Sequence, residues 1–334
     1  MASTSTITAP APGPRGIRAA YGKIAAMGNT LSLAIALFLL AAVWAFLSPY
    51  FLTLQNIMNI LMFASILAIR ASGLTVSMIL GGMDISQNSV GAVTGLLCAL
   101  VSVMGAPWWA ILVMVVLLGL LMGVINATLV SVFKIAAIIT TLGTMQIFRG
   151  AAWLIKDATV MVTDPVILTL GRGRLFGIIP YVTIIAVVVL FLVYYLLNFT
   201  SFGRKVYMVG GNERASYLSG INVNRVKFAS FVISGLTAGV AGFLLAGQVG
   251  AALPQSGAGT EMNTIAAVIL GGISLSGGKG KLSGTILGIL ILQTINNGLT
   301  LLSVNAYWQM VVSGGVLLLA VMIDVVRSGA LRKQ

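Results

Sequence analysis

Long apolar runs, interrupted by short polar or glycine-rich segments, dominate the sequence from residue 31 onward. No charged residue occurs in three long stretches, at 24–69, 85–133 and 282–323. Each stretch has room for one or two membrane spans, because about 20 apolar residues cross the hydrocarbon core. The boundaries of the apolar runs predict ten spans, at 31–48, 54–80, 88–104, 108–130, 135–155, 177–197, 228–248, 262–273, 284–302 and 306–326.

Two of these spans have unusual lengths for a bilayer of roughly 30 Å. As single helices, 54–80 would be about 40 Å long and 262–273 only about 18 Å. The same regions share the pattern I-L-G-G-x-x-x-S, at 79–86 and 269–276. Glycine-interrupted segments in corresponding halves of a chain are typical of transporter pathways. We therefore predict an all-α, polytopic membrane protein of about ten transmembrane helices, in which glycine-interrupted or re-entrant segments reconcile these lengths.

The charge distribution indicates the orientation. The 19 Lys and Arg residues far exceed the six Asp and Glu residues, giving a formal net charge of +13. With the N-terminus inside, only Lys156, Arg172 and Arg174 fall in outer loops, as the enrichment of basic residues in cytoplasmic loops requires. Both termini are thus predicted to be cytoplasmic, and nucleic acid is not an expected partner. The predicted organisation is a flexible tail 1–30, a transmembrane domain 31–326 containing a cytoplasmic loop 198–227, and a tail 327–334.

Catalytic and metal chemistry is poorly supported by the composition. Histidine is absent and Cys98 is the single cysteine, so the chain has neither a histidine-based triad nor a Cys/His metal cage. The segment 275–281, L-S-G-G-K-G-K, lacks the spacing of a nucleotide-binding loop. We expect no catalytic residue, cofactor or metal in this chain.

Two arginines lie within predicted spans, Arg70 and Arg149. Such a residue costs roughly 2.5–3.5 kcal/mol or more at the bilayer centre, so it is usually paired, hydrated or snorkelling. The long stem of Arg70 could reach the inner headgroups. A pair with Asp84 is the other interpretation, and it requires the chain to fold back at Gly81 and Gly82, because a straight helix separates the two residues by about 21 Å.

Uncharged polar residues suggest a path for hydroxyl-rich cargo. Gln293, Asn296 and Asn297 have i, i+3 and i+4 spacing and share one helical face. Backbone groups freed at the two glycine pairs could add hydrogen bonds. The predicted substrate path contains Gly81, Gly82, Asp84, Ser86, Gly271, Gly272, Gln293, Asn296 and Asn297.

The loop 203–224 contains the signals of a short helix. Asn212 is a favourable N-cap, Glu213 lies in the first turn, where the helix dipole favours an acid, and Gly220 can end the helix with a positive φ. The sequence N-E-R-A-S-Y-L-S-G-I-N-V at 212–223, G-G-M-D-I-S at 81–86 and the stretch 266–299 resemble, in the same order, the ribose-type permeases of bacterial ABC sugar importers. Two departures from that family are Arg70 and the segment 87–89, Q-N-S, where the family usually has V-G-S.

The resemblance implies a membrane-spanning subunit in the bacterial inner membrane that moves a monosaccharide or similar polyol by alternating access. It implies a partner ABC ATPase that carries ATP and Mg²⁺, a periplasmic sugar-binding protein, and a second copy of the permease or a close homologue. A permease for branched-chain amino acids or nucleosides and an ion-coupled secondary transporter are the alternatives. The residues that the resemblance assigns to ATPase coupling are Gly211, Asn212, Glu213, Ala215, Leu218, Ser219, Gly220 and Ile221.

Overall fold

A computed structural model of the protein describes residues 29–328, and most of them are helical. The predicted tails 1–30 and 327–334 therefore lie outside the described residues, except where α1 and α13 extend into them. The helices are α1 (Asn29–Leu47), α2 (Leu54–Ile79), α3 (Gln87–Val103), α4 (Trp108–Ser131), α5 (Ala137–Ile155), α6 (Pro165–Arg172), α7 (Tyr181–Phe199), α8 (Ser201–Gly211), α9 (Glu213–Leu218), α10 (Val223–Val249), α11 (Glu261–Leu270), α12 (Leu282–Leu301) and α13 (Ala306–Ser328).

A helix lies in each of the ten predicted apolar runs. Within residues 29–328, seven helices are long and apolar enough to cross a membrane: α1, α2, α4, α5, α7, α10 and α12. Helices α3, α11 and α13 contain shorter apolar stretches. The chain is therefore a multi-pass membrane protein. Helices α6 and α8 were not predicted, because their longest apolar runs, 166–168 and 206–209, are far too short to indicate a membrane span.

The all-helical prediction needs a small correction at two connections. Strand β1 (Val160–Met161) pairs antiparallel with β4 (Ala251–Ala252), and β2 (Arg174–Leu175) pairs with β3 (Ile179–Pro180). Each strand has only two residues, so neither ladder forms a separate layer. The first ladder nevertheless ties the connection after α5 to the end of α10.

Helix α10 lies at the centre of the fold and packs against α2, α3 and α4. Glycines allow its backbone to approach α4 closely, as the spacing of Gly119 and Gly123 with Gly235 and Gly239 predicts. A Cβ atom on Gly235 would lie 2.5 Å from the carbonyl oxygen of Gly119. Because the helices meet through backbone atoms, α10 brings the polar side chains of its neighbours within hydrogen-bond distance of one another.

Candidate functional site

The chain reverses direction at the end of α2. Gly81 has a φ of +92°, and Gly82 N donates to Ser77 O at 2.9 Å, which is the Schellman arrangement of a helix C-terminus. Residues 83–86 then run back along α2, so that α3 begins beside the middle of α2 and not beyond its end. The side-chain amide of Gln87 accordingly donates to Arg70 O at 3.1 Å.

The second glycine pair forms the same turn at the end of α11. Gly272 has a φ of +87°, and Ile273 N donates to Val268 O at 3.2 Å. The positive φ falls on the first glycine of 81–82 and on the second glycine of 271–272, so the two turns are offset by one residue relative to the shared pattern. The connection between α11 and α12 also contacts the end of α2, because Gly278 N donates to Ile79 O at 2.7 Å.

Asp84 lies in the returning segment and is fully hydrogen-bonded. Its Oδ1 accepts from Ser86 N at 3.0 Å and from Ser86 Oγ at 2.6 Å, and its Oδ2 accepts from Ser234 Oγ at 2.6 Å. Asn126 Nδ2 donates to Ser86 Oγ at 2.8 Å, and Thr144 Oγ1 donates to Asn126 Oδ1 at 2.7 Å. This network joins the start of α3 to α10, α4 and α5.

The interpretation of Arg70 as a snorkelling residue is wrong. Its side chain is buried, and Nη1 donates to Asn88 Oδ1 at 2.8 Å. Asn88 Nδ2 in turn donates to Gly257 O at 2.7 Å and to Thr260 Oγ1 at 2.8 Å. The chain does fold back at Gly81 and Gly82, but it places Asn88 beside the guanidinium, and no carboxylate in the described part of the chain lies within salt-bridge distance of Arg70.

The other arginine within a span, Arg149, binds the same loop. Its Nη1 donates to Pro254 O at 2.7 Å and to Ser256 O at 2.9 Å, while Nη2 lies 3.5 Å from Glu261 Oε1. The residues 253–260, named here the plug loop, are therefore held from two sides. Arg149, Asn88 and Glu261 are not among the site residues predicted from the sequence. The two arginines within apolar spans nevertheless indicate a buried polar site there.

The structure divides the polar face predicted on α12. Asn297 exchanges amide hydrogen bonds with Asn56 of α2 at 2.8 and 2.9 Å, so it joins two helices. Gln293 Nε2 donates to Phe63 O at 3.4 Å. Asn296 Oδ1 is buried and has no hydrogen-bond partner within residues 29–328. These residues do not contact the Asp84 network, so the predicted path residues fall into two separate groups.

The local predictions for the short helix α9 are confirmed. Asn212 Oδ1 caps it by accepting from Ala215 N at 2.9 Å, and Gly220 ends it with a φ of +81°. Glu213 forms an ion pair with Lys227 at 2.8 Å. The helix therefore lies against the start of α10.

Helix α9 exposes apolar side chains on a polar loop. Tyr217 is 71% exposed and Leu218 77% exposed, whereas Ser216 is buried. The same side of the molecule, which we call the α9 face, carries a cleft of about 1170 Å³ between α9, the α4–α5 connection and the 80–82 turn. Its charged lining residues are Lys134, Glu213, Arg214 and Lys227. Helix α9 and the first glycine turn thus border one open space.

The end of α8 contacts both the first glycine turn and the connection that follows the second. A Cβ atom on Gly210 would overlap Ile79 O and would lie 2.7 Å from Gly278 N. Tyr207 Oη donates to Gly280 O at 3.0 Å. Burial raises the pKa of Tyr207, which keeps this hydroxyl protonated as a donor. A displacement of α8 would therefore reach the end of α2 and the connection between α11 and α12 through direct contact.

Comparison with known proteins gives a consistent result over most of the chain. Residues 56–321 match the family described as branched-chain amino acid transport system / permease component. A ribose import permease protein of Haemophilus influenzae is 38% identical over 295 residues, covering 87% of this chain and 91% of the relative. A D-allose transport system permease protein of Escherichia coli is 36% identical and covers 86% and 88%, respectively.

A third relative, the L-arabinose transport system permease protein of Escherichia coli, is 36% identical over 305 residues, which cover 91% of this chain and 92% of the relative. No solved structure matches the chain.

Proposed function

The chain belongs to the family described as branched-chain amino acid transport system / permease component, and from this premise we propose that it is the membrane-spanning subunit of a bacterial ABC importer for a neutral monosaccharide or similar polyol. The relatives named for ribose, allose and arabinose transport favour sugar over branched-chain amino acids or nucleosides. The structural observation that carries the proposal is the cleft shared by α9 and the 80–82 turn, because it connects a solvent-exposed helix to a break in a membrane helix.

The proposed topology has ten crossings of the bacterial inner membrane, with both termini in the cytoplasm. Helices α1 to α5, α7, α10, α12 and α13 account for nine of them. The plug loop followed by α11 completes the tenth, with the loop entering from the periplasmic side and α11 continuing to the cytoplasmic side. Helix α11 has only ten residues, about 15 Å, so it spans half of the bilayer. This arrangement places the α9 face in the cytoplasm.

Helix α9 would dock on a separate ATPase subunit that binds and hydrolyses ATP with Mg²⁺. The exposed Tyr217 and Leu218 suit such a contact, since exposed apolar side chains on a polar loop are typical of interaction sites. The coupling set is that implied by the family resemblance: Gly211, Asn212, Glu213, Ala215, Leu218, Ser219, Gly220 and Ile221. Of these, Asn212 and Gly220 define the ends of α9 and the others form the helix or flank it.

The cargo path would include the two glycine turns, because their freed backbone groups can hydrogen-bond a passing hydroxyl. The proposed path residues are Gly81, Gly82, Asp84, Ser86, Gly271, Gly272, Gln293, Asn296 and Asn297. A periplasmic binding protein would deliver the sugar, and a second permease copy or a close homologue would complete the transporter. Neutral cargo suits a path made mainly of amides and hydroxyls, because a permanent charge would need compensation in a low-dielectric region.

The test is uptake into proteoliposomes that contain the permease and its ATPase, with the binding protein added. We expect ATP-dependent accumulation of a neutral pentose or hexose. Accumulation of leucine or a nucleoside in place of any sugar would favour the first alternative. Uptake that survives removal of ATP but stops when the proton gradient collapses would favour an ion-coupled carrier.

A further inference from the structure

The plug loop supplies neutral oxygen atoms to two side-chain donors, the buried amide of Asn88 and the part-buried guanidinium of Arg149. Asn88 reaches the carbonyl oxygen of Gly257 and the hydroxyl of Thr260, and Arg149 reaches the carbonyl oxygens of Pro254 and Ser256. Arg70 Nη1 donates a 2.8 Å hydrogen bond to Asn88 Oδ1 and so orients the Asn88 amide toward the loop. A neutral sugar would likewise present uncharged oxygen atoms, those of its hydroxyl groups, to an amide or a guanidinium.

The hydrogen bonds of this cluster are incomplete. Arg70 Nε, Gln87 Oε1 and Thr264 Oγ1 are buried without a hydrogen-bond partner among residues 29–328. Gln87 and Thr264, each only 3% exposed, line a small cavity of about 10 Å³, enough for roughly one water molecule. Leaving a buried polar group unpaired is unfavourable, so a site that only fixed the loop would be expected to satisfy these atoms.

The position of the cluster fits a transport site. Arg70 lies about 24 Å along α2 from Leu54, so it is deep within the span. Helices α3 and α11 both begin at this level, at Gln87 and Glu261. Substrate sites of transporters typically lie near the bilayer midplane where helices are discontinuous, and ionisable residues at that depth usually mark substrate pathways.

The charges of the cluster favour an uncharged ligand. Arg149 faces Glu261 at 3.5 Å, and Asp84 and Glu261 both line the small cavity. Only Arg149 lies within salt-bridge distance of a carboxylate, but the region holds two guanidinium groups and two carboxylates, so their formal charges sum to zero. An anion or a cation would lose its hydration here without gaining a net opposite charge.

We propose that Arg70, Asn88 and Arg149 form an intramembrane site for the hydroxyl groups of the transported sugar, and that the plug loop occupies this site when no sugar is present. This inference rests on the proposed function. Loop oxygens and sugar hydroxyls are equivalent acceptors, so the exchange keeps the number of hydrogen bonds nearly constant. No helix or strand lies between Ala252 and Glu261, and the carbonyls that Arg149 binds can change partner without unwinding an element.

Two variants separate the ligand side of this site from the loop side. Asn88→Leu removes the donor that would contact both the loop and the sugar. Thr260→Val removes only the hydroxyl of the loop and leaves all three donors in place. Ser102→Ala serves as the matched control, because Ser102 is buried on the same helix and bonds Ala99 O and Thr163 N, away from the plug loop.

The experiment measures D-ribose uptake and ATP hydrolysis in the same proteoliposomes, which contain permease and ATPase, with sugar-loaded or sugar-free binding protein outside. For Asn88→Leu we expect at least a tenfold loss of sugar moved per ATP, with hydrolysis within twofold of wild type. For Thr260→Val we expect uptake within twofold and at least threefold faster hydrolysis with sugar-free binding protein. Ser102→Ala should match wild type.

The outcomes distinguish the two proposals. If wild type moves D-ribose but Asn88→Leu and Thr260→Val lower uptake and hydrolysis in parallel, or leave sugar moved per ATP unchanged, the cluster is only structural and this inference is wrong. If Asn88→Leu fails to assemble, the test rests on Thr260→Val alone. The inference is then wrong unless this variant hydrolyses ATP at least threefold faster than wild type with sugar-free binding protein. If wild type moves no neutral sugar at all, the proposed function itself is refuted.

Discussion

The contact between Gly210 and the end of α2 predicts a large effect of a single methyl group. In Gly210→Ala, the new Cβ atom would overlap the carbonyl oxygen of Ile79 and would lie 2.7 Å from Gly278 N and 3.0 Å from the carbonyl carbon of Ile79. All of these are backbone atoms, so no side chain can rotate away. One backbone segment must move, and the 2.7 Å hydrogen bond from Gly278 N to Ile79 O lies directly in the contact.

The magnitude follows from three contributions. Overpacking of a tight contact costs about 1–3 kcal/mol. Loss of the Gly278–Ile79 hydrogen bond costs about 1 kcal/mol more. Alanine in a helix recovers about 1 kcal/mol relative to glycine. The net expectation is a destabilisation of about 1–3 kcal/mol, located where the end of α8 meets the end of α2 and the connection after α11.

Gly211→Ala is the matched control for stability. Gly211 is the next residue of α8, its φ is not positive, and a Cβ atom there meets nothing within 4 Å. Thermal unfolding in detergent, followed by tryptophan fluorescence, should show a lower midpoint for Gly210→Ala and an unchanged or slightly higher midpoint for Gly211→Ala. In proteoliposomes, Gly210→Ala should also lower the sugar moved per ATP hydrolysed.

Equal unfolding midpoints for the two alanine variants would refute the reasoning, because the chain would then absorb the methyl group without disturbing the turns. A lower unfolding midpoint with an unchanged amount of sugar moved per ATP would support the packing argument. It would contradict the proposal that this contact transmits movement of α8 to the glycine turn at the end of α2.

Three other predictions address separate parts of the structure. Leu218→Asp should leave membrane insertion and thermal stability of the subunit unchanged, because the side chain is 77% exposed, but should weaken ATPase binding in a pull-down and abolish uptake. In intact cells, an impermeant maleimide should label a cysteine at Phe176, on the β2–β3 hairpin, and should not label one at Tyr217; the reverse pattern would overturn the proposed orientation. Asp84→Asn should lower the unfolding free energy by about 1–3 kcal/mol, since the amide nitrogen replaces one carboxylate oxygen and cannot accept the bond that Ser86 or Ser234 donates to it, and chemical denaturation would measure this loss.

Much of the helical framework can be predicted from the sequence, because burial in a bilayer depends on runs of about 20 apolar residues. The two ends of the short helix α9 can also be predicted from the sequence. An N-cap such as Asn212 and a helix-ending glycine such as Gly220 act within four residues of the chain, so their geometry requires no knowledge of distant segments.

The partners of buried polar residues depended on tertiary structure. Snorkelling was a reasonable expectation for Arg70 on a single helix, but the fold-back at Gly81 brings Asn88 beside it and removes the need to reach the headgroups. Asn297 shares a helical face with Gln293, yet its side-chain amide is hydrogen-bonded to Asn56 of another helix. A polar group in a membrane must find a partner, and which partner it finds is decided by the packing of helices far apart in sequence, which periodicity and spacing do not encode.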